Sequence, residues 1–143
     1  MNRAKIEPHN TLAAGYHPLV LRSGWQVAQL NDHEDLHTDS LSEIERHTET
    51  DEVFVLVRGY ATLIEATVSD GIHFECTHME QGVVYNVPRG VWHAIRTEPG
   101  MLVIIVERDG THLQDVEHRH LTESEQTLLR AKMQCSDLHA KGE

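Results

Sequence analysis

The stretch EIERHTETDEVFVLVRG, residues 43–59, sets an imidazole and several carboxylates directly ahead of an apolar run. His47 and Glu52 are five positions apart, so on one continuous strand they would point to opposite faces. A turn at TETD, residues 48–51, removes the conflict by placing them on successive strands of a hairpin. Glu45 then shares a face with His47, two residues away. Burying two carboxylates beside an imidazole is costly unless something positive lies among them, and a divalent metal is the natural candidate. A second stretch, GVVYNVPRGVWHAIRT at 82–97, turns sharply at Pro88 and Gly90. It then presents His93 at the start of an otherwise apolar strand.

Working outward, residues 25–110 are short apolar stretches punctuated by glycine turns at Gly59, Gly71, Gly82, Gly90, Gly100 and Gly110. The stretches are rich in Val, Ile, Thr and aromatics and have strand length. A turn signal about every ten residues predicts an antiparallel sandwich or barrel rather than βαβ units. VFVLV, residues 53–57, is apolar on both faces, as expected of a strand covered by a second sheet. The ends read differently. Residues 1–22 form an irregular arm with one strand at LVLR, residues 19–22. Residues 122–133 form a helix opened by a Thr122–Glu125 capping box, with Leu121, Leu128, Leu129 and Met133 giving it a partial apolar face.

Together the two quoted stretches resemble the paired signature motifs of the cupin superfamily. The first motif runs Gly, five residues, His-x-His, three or four residues, Glu, six residues, Gly; here His47, Glu52 and Gly59 fit its later part. The second runs Gly, five residues, Pro-x-Gly, two residues, His, three residues, Asn; Gly82, Pro88, Gly90 and His93 fit it. Asp39, Glu45 and Thr97 depart from the pattern, and only Glu45 changes a ligand position. The resemblance implies an all-β fold: a cupin-type double-stranded β-helix, or jelly-roll barrel, over residues 23–112. The arm at 1–22 and a C-terminal helical segment at 113–143 would complete the domain. It further implies a divalent metal ion (Fe, Mn, Ni or Zn) on His47, Glu52 and His93. Glu45 is then either a fourth ligand or a solvent-facing carboxylate, and a carboxylate suits any of these metals. Alternation places Phe54 on the face of Glu52 and Ile95 on the face of His93, lining an apolar pocket. Tyr85 matches a position that often faces the cupin interior, either to bind substrate or as a core tyrosine.

One further motif competes. HEDLH, residues 33–37, fits the HExxH pattern of zinc proteases. Its surroundings offer Leu36 as the lone apolar residue, too little for packing to hold a helix, so it reads as a solvated loop between strands. Of the other histidines, His73 and His78 have opposite parity, so at most one points inward, and His118 and His120 read as exposed.

The 143-residue chain is long enough for one domain. Its net charge of -11, with no basic cluster, argues against nucleic-acid binding. No run approaches the ~20 apolar residues of a membrane span, and the N-terminus lacks a signal peptide's apolar segment, so a cytoplasmic location is expected. Two cysteines, Cys76 and Cys135, make no disulfide framework. The functional expectation is a small-molecule metalloprotein whose ligand is a hydroxy or keto acid or a sugar derivative. It would be a metal-dependent isomerase, lyase or dioxygenase or, alternatively, a non-catalytic binding or sensing module. A homodimer would cover exposed barrel edges.

Overall fold

The computed structural model describes residues 5–141. Among the described residues ten strands form two five-stranded antiparallel sheets that face each other: β1 (Gly15–Arg22), β2 (Trp25–Asn31), β3 (Glu43–His47), β4 (Glu52–Arg58), β5 (Ala61–Val68), β6 (Ile72–His78), β7 (Val84–Val87), β8 (Trp92–Thr97), β9 (Leu102–Glu107) and β10 (Val116–His120). A short helix α1 (Thr111–Gln114) precedes β10, and a long helix α2 (Glu123–Lys141) ends the chain. The first sheet has the order β1-β2-β9-β4-β7 and the second β10-β3-β8-β5-β6. Apart from the β1–β2 and β5–β6 hairpins, consecutive strands alternate between the sheets, which is the jelly-roll connectivity expected of the turn spacing. Among the described residues no helix is long and apolar enough to cross a membrane.

The TETD turn does not close a hairpin. β3 pairs with β8 and β10, whereas β4 pairs with β7 and β9, so residues 48–51 carry the chain from one sheet to the other. The physical reason is the one that made the spacing informative: inward means opposite directions for two sheets that face each other. His47 and Glu52 can then both point into the barrel despite their opposite parity.

Both ends contribute to the sheets. β1 extends beyond LVLR to eight residues along β2, and β10 adds a strand that short, histidine-rich VEHRH did not announce. Helix α2 runs past residue 133, and its capping box forms as the sequence predicts. Glu125 N–H donates to Thr122 Oγ1 (3.2 Å) and Thr122 N–H to Glu125 Oε1 (3.0 Å). The helix lays Leu129 and Met133 on the outer face of the second sheet, against Ile64, Ala66, Ile72, Phe74 and Ala94. Arg96 pins it there through a bidentate pair with Asp137 (3.0 and 2.8 Å). The outer face of the first sheet is different. Val53 and Val55 are half-buried and Val57 is 50% exposed, so VFVLV has one covered face, not two.

Between the sheets lies the main core, built on Phe54, Leu56, Leu63, Ile95, Val103 and Ile105. Gly59 closes the β4–β5 turn at φ +75, and a Cβ there would stand 2.7 Å from the Met101 Cα. Any other residue would meet backbone it cannot displace.

Candidate metal centre

Two turns fasten the second motif to the first. Gly90, at φ +83, donates its N–H to the His47 carbonyl (2.7 Å). Asp51, from the TETD corner, accepts the Arg89 N–H (2.9 Å) and the Asn86 side-chain amide (3.2 Å). These bonds hold the PRG turn against the end of β3, and β8 leaves it with His93 opposite Glu45 in register. The second sheet thus aims Glu45, His47 and His93 inward, and the first sheet answers with Glu52.

One candidate ligand atom from each of these four residues lies within 4.8 Å of the others. Two donors at about 2.1 Å from one ion stand at most about 4.2 Å apart, so the cluster needs only small shifts to close on a metal. His47, Glu52 and His93 are 4%, 4% and 3% exposed. His93 Nε2 lies 3.8 Å from both Glu52 Oε2 and Glu45 Oε1, and His47 Nε2 is in direct contact with Glu52 Oε2.

The outward nitrogens settle the tautomers. His93 Nδ1 donates to the Val91 carbonyl (3.0 Å), which can only accept. His47 Nδ1 lies 3.0 Å from Thr111 Oγ1, whose own hydroxyl donates to Asp115. In the neutral, metal-binding form both Nε2 atoms would therefore present a lone pair inward, and such second partners orient metal-binding imidazoles. His93 Nε2 is buried with no hydrogen-bond partner, and His47 Nε2 and Glu52 Oε2 are buried against each other in a contact that makes no well-formed hydrogen bond. Donor atoms gathered in this way carry a penalty that a divalent cation would relieve. The residues present fit such an ion.

The electrostatics agree. Burial pushes the Glu52 carboxyl up to about 8, against the pull of His47 and with the added repulsion of Glu107. Burial disfavours the His47 cation, but the Glu52 contact, with Glu45 and Glu107 behind it, raises it to about 9. Burial lowers His93 to about 4, and the His47 charge acts in the same direction. Without metal, the cluster holds protons to balance its carboxylates. Glu45 is pushed up by burial, yet its side chain remains 38% exposed and its Oε2 lies 3.8 Å from His118 Nδ1 at the mouth.

The cluster opens into a cavity of about 370 Å³, near the lower end of ligand-binding cavities, roughly 300–1,000 Å³. Phe54 and Ile95 line it, and the Phe54 ring stands edge-on to His93 at 6.0 Å. Tyr85 does not line this cavity. It packs against the main core, borders a second depression that shares His93 with the first, and accepts the Glu80 N–H on its hydroxyl (2.8 Å). HEDLH folds as a loop with one 3-10 turn at Glu34–Leu36, fastened where Thr97 donates to Asp32 (2.7 Å). His78 lies under α2, beside Ser136 and Asp137, while His73, His118 and His120 are exposed.

Among the residues not read from the sequence, Tyr16, Glu107 and His112 line the cavity, with Gln26 buried beside them. Glu107 is the cross-strand neighbour of Glu52 on one side and of Gln26 on the other. Tyr16 donates its hydroxyl to Glu107 Oε1, and the two N–H groups of the Gln26 amide are shared among Tyr16 Oη (2.8 Å), Glu107 Oε1 (3.0 Å) and the nearby His112 Nδ1 (3.2 Å). Burial, then Glu107, holds the Tyr16 hydroxyl well above the usual phenol range, so it stays a donor. A signal did exist for Glu107: it ends the apolar run LVIIVE on the face of Val103 and Ile105.

No protein-family model matches the chain, and no curated protein matches it in sequence. Solved structures match its fold. Pac13, described as a nucleoside dehydratase, superposes with a TM-score of 0.53 at 14% identity, over 78% of this chain and 84% of that one. A variant of the Streptomyces protein with uridine gives 0.55 at 16% identity, over 87% and 98%. A mutant of the 3,4-ketoisomerase QdtA from Thermoanaerobacterium thermosaccharolyticum, in complex with TDP-4-keto-6-deoxyglucose, gives 0.50 at 12% identity, over 64% and 63%. The likeness is one of fold, an all-β, cupin-type barrel, to which this chain adds the helix α2 at its C-terminal side.

Proposed function

We propose that this chain is a metal-dependent enzyme acting on a small oxygen-rich metabolite, with one divalent ion (Fe, Mn, Ni or Zn) held by His47, Glu52 and His93 and by Glu45 as a softer fourth ligand. The observation that carries the reading is the convergence of three buried donor atoms, none in a well-formed hydrogen bond, at the head of the cavity. When bound, the ion would supply Lewis acidity, polarising a carbonyl or hydroxyl of the substrate. The chain's own groups do the rest. Phe54 and Ile95 exclude water from one wall, the Val91 carbonyl and Thr111 orient the two imidazoles, and Tyr16 and Gln26 hold the Glu107 carboxylate toward the cavity. Isomerase, lyase and dioxygenase chemistry all suit such a centre. The dehydratase and ketoisomerase named above support small-molecule chemistry in a barrel of this shape.

The test is metal analysis of tag-free protein. About one equivalent, lost in His47→Ala, supports the reading. Less than about a tenth of an equivalent, with none regained on reconstitution, overturns it. Oxygen consumption by Fe(II)-loaded protein then separates a dioxygenase from an isomerase or lyase.

A non-catalytic sensing module is the second reading, favoured by the half-exposed Glu45 shared with His118. Ligand-induced stabilisation without turnover selects it. Either protein would be a cytoplasmic homodimer on this proposal, and light scattering reads the dimer.

A further inference from the structure

The charges around the cavity limit what can enter it. Glu43, Glu45, Glu52 and Glu107 all line it, and among the described residues no lysine or arginine does. Two neutral imidazoles and a divalent ion offset two of these four carboxylates. Glu43 is in contact with His118 and 3.5 Å from His120 at the rim. Glu107 has no cation of its own. Its Oε1 is taken by Tyr16 and Gln26, whereas no described residue donates a hydrogen bond to Oε2, which lies 3.9 Å from His47 Nε2. The hub behind it is closed: Tyr16 spends its proton on Glu107, and the Gln26 carbonyl oxygen accepts the Gly110 N–H (2.9 Å). What this wall offers a ligand is one buried acceptor. An acceptor bonds a hydroxyl or an amine and repels a carboxylate or a phosphate.

We infer that the ligand of this site is a neutral or cationic polyhydroxy compound, one hydroxyl of which donates to Glu107 Oε2, and that acids and phosphate esters are excluded. This rests on the metal reading for the ligand's other contact, and it narrows the sequence expectation, which admitted hydroxy and keto acids. Tyr16 and Gln26 are positioning residues, since they reach the ligand only through Glu107.

Three probes on one carbon chain test it: D-glucitol, D-glucamine and D-gluconate, respectively neutral, cationic and anionic. Saturation-transfer NMR titration reads weak binding to Zn(II)-loaded protein, dialysed free of excess zinc, and to metal-free protein. The expected result is D-glucitol or D-glucamine bound at least ten-fold more tightly than D-gluconate, with the preference shrinking in Glu107→Gln. Equal or tighter binding of D-gluconate, or no binding of any probe, overturns the inference, whether or not the variant folds. Zinc content of the same samples keeps the two readings apart. Zinc bound without the preference defeats this inference alone, and the preference surviving without any zinc uptake defeats the metal reading alone.

Discussion

Two histidine pairs differ in what surrounds them rather than in what they are. His33 and His37 are four residues apart, match a known zinc pattern and share one loop. Their side chains are 37% and 39% exposed, and each is already engaged: His33 Nδ1 accepts the Asp35 N–H (3.0 Å), and His37 Nε2 bonds Asp32 (2.8 Å). His47 and His93 lie on different strands far apart in sequence, yet both are buried with an inward nitrogen that makes no well-formed hydrogen bond and faces only the cluster's carboxylates. Proximity in sequence gave a motif without a site. Burial gave a site that only half a motif marked, because the cost of an unpaired polar atom is a property of the interior and not of spacing.

The largest effect is expected from His47→Ala or His93→Ala, each abolishing stoichiometric metal in atomic-absorption measurements while His33→Ala and His37→Ala retain it. A protein that lost its metal with His33 instead would reverse the comparison.

Next is pH. In metal-free protein the folded state keeps protons on Glu52 (about 8) and His47 (about 9) that the unfolded chain releases nearer 4.5 and 6.5. The folded state binds more protons across this range, so stability falls as pH rises from about 6.5 to 9. His93, at about 4, acts below that window and with the opposite sign. Melting temperatures should decline across it without metal, and metal should remove the decline because bound metal has displaced those protons. A flat metal-free profile would contradict the assignment.

Thr111→Val tests the support behind His47 and should weaken metal binding by about 10–100-fold, the usual range for such partners. Competition with a chelator measures it. The smallest effect is His37→Ala, which removes one loop hydrogen bond and should cost about 0.5–1.5 kcal/mol in denaturant unfolding, with metal affinity unchanged.

The two outer sheet faces carry a related lesson. Both are apolar in sequence, but α2 covers one with Leu129 and Met133, while Val57 and Val84 stand 50% and 66% exposed on the other. Period-two alternation tells which residues share a face and is silent about whether that face finds a partner.

What the sequence determined by itself was local or spaced: the turn positions, the strand character between them, the capping box of α2, and the inward parity of His47, Glu52, Phe54, His93 and Ile95. Each follows from backbone geometry that a few neighbouring residues fix. The tertiary structure alone decided that residues 48–51 cross between sheets, that Tyr85 lines a different depression, and that Tyr16 and Glu107, tied together by Gln26, join the cavity from distant strands. Those outcomes depend on which strands become neighbours, and the pairing of β2, β9 and β4 couples residues 81 and 55 positions apart, beyond the reach of any local pattern.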